Sequence, residues 1–348
     1  TGVQTCALPI SALLAKASGV TVNATGLDAA RLSALAAGNG SIAAGGITGD
    51  VVVTSDVTGL PSLFGRLNAM VVVTVNASGM SSSGGTNQLA QVAAFIRGGA
   101  VSNVAVQNLS IGSAVAAADI ASLLSKASAA VVTATEMDAG QLNAVAGGAD
   151  NVAALGIGGT LDLTPAVTKD NMVALFGKMA GGAQITAAAS TGSGGSLASM
   201  DIDQLKAVAA QHARIVDNGV TGTISISSAL TGWQDLLPKV AASASVSVNA
   251  GGMEHGDRAV LAANIGRVDS ISSLSLTKDD SASDLSSLLE VATGASVDAT
   301  GMGYAAGNDQ MNAVAAKLAH VSAITGSVNV TDGLDNLAAF LAKVDGDH

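Results

Sequence analysis

Apolar and polar residues alternate with a period of two in short runs along this chain. Val20-Thr21-Val22-Asn23 and Ile224-Ser225-Ile226-Ser227 are clear cases. Each such run predicts a strand with one face buried and the other exposed. Between these runs the apolar spacing changes to three and four: Leu142, Val145 and Ala146 in one place, Leu123, Leu124 and Ala127 in another. That spacing predicts amphipathic helices. Strand and helix alternate through short links, which implies parallel strands joined by right-handed crossovers.

The pattern is also repeated. ITGDVVVTSD at 47–56 returns as IGGTLDLTPA at 157–166, VTGTISISSA at 220–229 and ITGSVNVTDG at 324–333. A second motif alternates with it, as VTVNATGLD at 20–28, VTVNASGM at 73–80 and VSVNAGGM at 246–253. We name the second type A and the first type B. A strands are predicted near 20–24, 73–77, 130–134, 184–188, 245–249 and 296–299, and B strands near 51–54, 104–107, 161–164, 224–227, 274–277 and 328–331. Successive B strands start 50 to 63 residues apart. A fixed period of this kind predicts a stacked array, here a parallel β-α solenoid of about twelve βα half-units. Asp28, Asp138, Asp201 and Glu254 stand four residues before the first core position of the A helices, and the Asp examples suit helix caps. Thr58, Thr168 and Thr231 are the corresponding candidates in B. Lys16, Arg66, Lys126, Lys178, Lys239 and Lys343 recur at the ends of B helices, where a cation complements the helix dipole.

Composition narrows the class. Apolar residues make up 49% of the 348 and charged residues 12%, so the chain is not disordered by composition. Aromatics are 2%, which leaves the core to Ala, Val, Leu and Ile. Mean hydropathy is positive, yet no apolar run reaches 18 residues, so no membrane span is expected. The net charge of −11 opposes nucleic-acid binding. Cys6 is the only cysteine, which excludes a disulfide framework within the chain.

The B half-unit resembles a leucine-rich repeat in Val101-x-x-Val104-x-Val106-x-x-Leu109 and in Ile271-x-x-Leu274-x-Leu276. It departs from that family where Val and Ala replace Leu and where the Asn position is not regularly filled. The resemblance implies a leucine-rich-repeat-like superhelix that binds a partner. The Val/Thr/Ala/Gly style resembles repeat regions of large bacterial surface or secreted proteins, which implies an extracellular or cell-surface location. Residues 1–10, TGVQTCALPI, resemble a translated sequencing-adapter artefact. Residues 11–348 are expected to form one continuous array. Residues 10–18 align with 120–128, inside a unit, so a longer parent array is expected.

Candidate chemistry lies on the exposed strand positions. These are Thr21 and Asn23, Thr74 and Asn76, Asp162 and Thr164, Ser225 and Ser227. The series continues with Ser247 and Asn249, Ser275 and Thr277, and Asn329 and Thr331. Stacked at strand spacing they would form a polar wall about 50 Å long. Such a wall fits a repetitive ligand such as glycan, ice or a protein surface. It is also what a solvated strand requires, since Thr is a good β-former. Ser/Gly insertions at 81–85, 191–198 and 303–307 lengthen every second A link, and Tyr304 is an aromatic on that rim. His212, His255, His320 and His348 lie in different units without metal-binding spacing. No P-loop, GxSxG or strand-borne GxGxxG occurs, so neither an enzyme nor a cofactor is expected, and no metal site. Two readings remain: a non-enzymatic structural or adhesive module, or a specific ligand-binding module on the strand face.

Overall fold

A computed structural model describes residues 10–84, 86–191, 198–305, 308–328, 334 and 336–344. The chain is α/β, with short parallel sheets and helices between their strands. It divides into two compact units, residues 1–162 with 170–184 and residues 163–169 with 185–348. In the first unit Val20–Asn23 pairs with Ile42–Thr48, and Val72–Asn76 lies between Val51–Val53 and Asn103–Gln107. Ala130–Thr133 lies between Ser110–Ile111 and Val152–Gly158. The second unit follows the same plan. Gln184–Ala188 pairs with Ile215–Thr221, Ser245–Asn249 lies between Thr223–Ser227 and Ser270–Ser272, and Ala295–Asp298 lies between Ser275–Leu276 and Val321–Thr325. All of these pairings are parallel.

The A strands fall where the alternation places them. The B element differs: it is two strand pieces, the first paired to the preceding A strand and the second to the following one. The residue between the pieces has positive φ at Gly49, Asn108, Gly159, Gly222 and Ser273, and Gly326, just after the first piece Val321–Thr325, has it too. A left-handed residue ends one ladder and re-aims the chain for the next. In four copies the A turn also packs on this residue. The hydroxyls of Thr25, Thr135, Ser190 and Thr300 accept the amides of Asp50, Thr160, Thr223 and Ser327, each just past the glycine. A side chain on Gly222 would stand 2.7 Å from the Ser190 amide nitrogen, so the site admits glycine for space as well as for φ.

Helix starts divide by type. Asp28, Asp138 and Asp201 accept the N3 amides of their helices at 2.8–2.9 Å, and Glu254 holds the cap position without a side-chain bond. Thr58 and Thr231 are not caps. Their helices, Leu60–Phe64 and Trp233–Leu236, start one residue later than expected because Gly59 and Gly232 take left-handed φ and occupy the cap. Two of the B-helix cations reach backbone, Lys178 and Lys343 donating to the carbonyls of Val152 and Val321, whereas Lys239 pairs with the Asp217 carboxylate.

A buried glutamine ties half-units together. Gln141 Nε2 donates to the Ser113 and Val115 carbonyls of the preceding B turn, both at 2.7 Å, while its Oε1 accepts the Asp138 amide. Gln204 does the same to Pro165 and Val167, Gln88 to Ser55 and Val57, and Gln310 to Lys278 and Asp280. Each amide satisfies turn carbonyls that the helix has shut off from water, as buried backbone polar groups require. The Phe64 and Phe95 rings stack at 4.1 Å between neighbouring helices.

Candidate binding face

Parallel pairing puts residues of equal register side by side on one face. In the second unit the register aligns Ser225, Ser247 and Ser270 in one row and Ser227, Asn249 and Ser272 in the next. The buried residues between them, Ile224, Ile226, Val246 and Val248, fix which way each strand faces. Ser225 and Ser247 Oγ lie 3.3 Å apart, and Ser275 and Ser296 Oγ lie 3.1 Å apart. Of the residues singled out by sequence, Ser225, Ser227, Ser247 and Asn249 are thus brought together, with Ser270 and Ser272 completing the rows.

In the first unit the same face is different. Thr74 has Val52 on one side and Ala105 on the other, and Val52 is 51% exposed. Thr21 and Asn23 are exposed on their own strand, Thr74 and Asn76 are half-buried, and Asp162 is exposed near the end of Thr160–Leu163. In the second unit, Thr164 is half-buried beyond that strand's last residue. Thr277 lies in a turn, where its amide donates to Asp280 and its hydroxyl accepts from Asp279. Asn329, Thr331 and the Tyr304 side chain lie outside the described residues, as do His348 and Cys6.

The strand-end asparagines have a local role that the alternation did not reveal. Asn23, Asn76 and Asn249 Oδ1 accept the amides of Thr25, Ser78 and Gly251 two residues on, closing Asx turns. Asp298 closes the equivalent turn on Thr300, and that backbone bond, followed by one from the Thr300 hydroxyl, holds its carboxyl below the usual carboxylate range. Among the described residues the amide NH2 of Asn249 has no protein partner.

Residues 85, 192–197 and 306–307 of the insertions lie outside the described residues, and short antiparallel pairs flank two of the insertions. Ser190–Thr191 pairs antiparallel with Ala198–Ser199, and Tyr304–Ala305 with Asn308–Asp309. In the first unit Ser81 Oγ donates to the Thr86 carbonyl and Asn87 Nδ2 to that of Ser82. Ser199 and the following helix start stand beside the serine rows and bound a cleft of about 400 Å³.

Sequence reading also missed a buried ion pair. Arg258 stands where the other A helices have buried Leu32, Leu142, Leu205 or Met311, and Asp280 where the B turns have buried Val57, Val115, Val167 or Leu230. The Asp280 side chain is 0% exposed; it accepts Arg258 Nε at 2.8 Å and the Thr277 amide at 2.9 Å, and His255 Nδ1 lies at 3.4 Å. Arg258 also donates to the Met253 carbonyl. Two charges at positions that are apolar in the sister copies were a usable signal.

His212 Nδ1 lies near the Ala209 carbonyl and Asp235, and His320 Nδ1 near the Ala292 carbonyl. Among the described residues no serine or cysteine is bonded to a histidine ring, and no group of three metal-binding side chains occurs. Among them also, no helix is long and apolar enough to cross a membrane. No protein-family model matches the chain, and no curated protein matches it.

Proposed function

We propose that this chain is a non-enzymatic adhesive repeat module of a bacterial extracellular protein, built as a leucine-rich-repeat-like β-α solenoid of about twelve half-units. Its work is display: stacked half-units hold the exposed strand faces rigid toward a partner surface of glycan or protein. The observation that carries this reading is the registered pair of rows Ser225-Ser247-Ser270 and Ser227-Asn249-Ser272. Rows of hydroxyls on a fixed backbone lose little freedom on contact, so they suit attachment by many weak bonds. The recurring fastening of the turns by glutamine and Asx bonds supports the same reading, because a rigid display needs its layers locked.

The test is adherence. Beads coated with the intact chain are expected to hold to polysaccharide films or bacterial cell layers under flow. The Ser225→Lys/Ser275→Lys double variant, which interrupts two rows, is expected to lose most of that adherence while keeping its circular dichroism spectrum. Beads that fail to adhere to any of these surfaces would sink the proposal.

A further inference from the structure

We propose that the cleft between Ser199 and the serine rows of the second unit is a binding site for a neutral oligosaccharide. The proposal rests on the adhesive reading above and names the ligand class for that face. The cleft measures about 400 Å³ and is lined by hydroxyls, one amide and apolar side chains; among the described residues no charged one lines it. Its volume is within the range of small-molecule sites, roughly 300–1,000 Å³.

The polar groups there are uncommitted. Among the described residues the hydroxyls of Thr223, Ser227 and Ser270 have no protein partner, nor does the Asn249 NH2. Ser225 and Ser247 bond only to each other, and Ser272 donates weakly to the Val248 carbonyl at 3.3 Å. A hydroxyl both donates and accepts, and so does a carboxamide. This set matches a ligand whose own groups are hydroxyls. An anionic ligand would call for Arg or Lys, which provide the charge-assisted bonds such groups need. A protein partner would call for aromatic or arginine anchors, which carry most interface energy, and the described residues of the cleft include none.

The wall supplies the other half of saccharide recognition. Ile202, the first residue of its helix, is 40% exposed and lines the cleft together with buried Met200 and Leu205. An exposed aliphatic group in the same cleft as the hydroxyl rows fits a sugar ring, which carries C–H faces and hydroxyl edges. A flat lattice such as ice is excluded by this wall, since the surface is a cleft there and not a plane.

The experiment uses the intact chain and four neutral hexasaccharides: cellohexaose, maltohexaose, xylohexaose and mannohexaose. Each is titrated by calorimetry and by ligand-detected NMR. At least one is expected to bind, and the Ser225→Val/Ser247→Val variant is expected to weaken it at least tenfold. Valine keeps the strand propensity, so an unchanged melting curve separates lost contacts from lost fold. Thr74→Val, in the first unit, is expected to bind as the parent does. The proposal is overturned if none of the four binds at low-millimolar concentration, or if the double valine variant binds as tightly as the parent. Adherence that persists without competition from any hexasaccharide overturns the saccharide assignment and leaves the adhesive reading standing. Absence of adherence overturns the adhesive reading itself.

Discussion

The Arg258–Asp280 pair gives the sharpest energetic test, because sister copies show what the fold does without it. Arg258→Met and Asp280→Val restore residue types found at the equivalent positions, Met311 and Val57 among them. Removing one partner strands a buried charge. Asp280→Val leaves the Arg258 Nε unbonded in a position with 8% side-chain exposure, and Arg258→Met leaves a fully buried carboxylate. Breaking a buried pair this way costs about 3–5 kcal/mol. The double substitution removes both charges and leaves the Thr277 amide without its acceptor, a loss of about 1 kcal/mol. Replacing a buried pair by apolar residues is otherwise neutral to stabilising by about 1–4 kcal/mol. The double variant is therefore expected within about 2 kcal/mol of the parent or above it.

Trp233 makes the measurement local. It is the only tryptophan, it is 1% exposed, and it lies in the same unit as the pair. Its fluorescence during urea titration follows that unit. With a slope of about 2 kcal/mol/M, each single variant should lower the midpoint by about 1.5–2.5 M. Single losses below about 1 kcal/mol would refute the reasoning. So would a double variant whose loss equals the sum of the singles, since the pair would then not be a coupled replacement for an apolar contact.

Three further outcomes are expected. Gln141→Ala removes three bonds of 2.7–2.8 Å and should destabilise the first unit by about 3 kcal/mol, read from thermal melts by far-UV circular dichroism. Gly222→Ala forces a side chain into left-handed φ against the Ser190 backbone, and should cost about 2 kcal/mol or more in the Trp233 titration. Asp298→Asn should keep the Asx turn, as Asn23, Asn76 and Asn249 do. The Asp298 carboxyl is depressed in the folded state, so its contribution is present above the unfolded value of 3.8 and fades as pH falls through the folded one. The variant should match the parent at pH 7 and lose less stability on acidification below pH 4, read from melting temperature against pH.

Period-two alternation was legible in regular strands, and that located the A strands, the first piece Asn103–Gln107 of one B element and the second pieces near 51, 161, 224 and 275 of four others. The first pieces Ile42–Thr48, Val152–Gly158, Ile215–Thr221 and Val321–Thr325 escaped because their ladders are bulged. Val20 pairs with Ile42 but Val22 with Ile47, and the intervening residues include Gly45 at φ 64°. Leu155 and Asn218 take the same conformation in later copies. Extra residues at a bulge destroy the alternation that a sequence reading depends on. The serine rows were legible by half. Ser225, Ser227, Ser247 and Asn249 sit on regular strands, whereas Ser270 and Ser272 belong to a first piece and enter the rows only through register. The glutamine ties left a trace in Asp138-x-x-Gln141 and Asp201-x-x-Gln204, the capping-box spacing, but their second partner lies one half-unit earlier and no local pattern records it.

The internal copies separate what the scaffold needs from what the face can do. Glycine or another left-handed residue at the B break, a carboxylate or amide at the A strand end, and glutamine at the helix start recur because each satisfies backbone groups that packing hides. The exposed strand positions obey no such demand. Val52, Thr74 and Ala105 occupy in the first unit the kind of row that Ser225, Ser247 and Ser270 occupy in the second, on the same parallel pairing. An exposed strand residue needs only to be compatible with a pleated, half-buried surface, and valine or alanine meets that as well as serine. The hydroxyl rows beside Ile202 are therefore not required by folding. The first unit is the built-in reference for a face without them, and a contrast in saccharide binding between Thr74→Val and Ser225→Val/Ser247→Val reads that difference on one backbone plan.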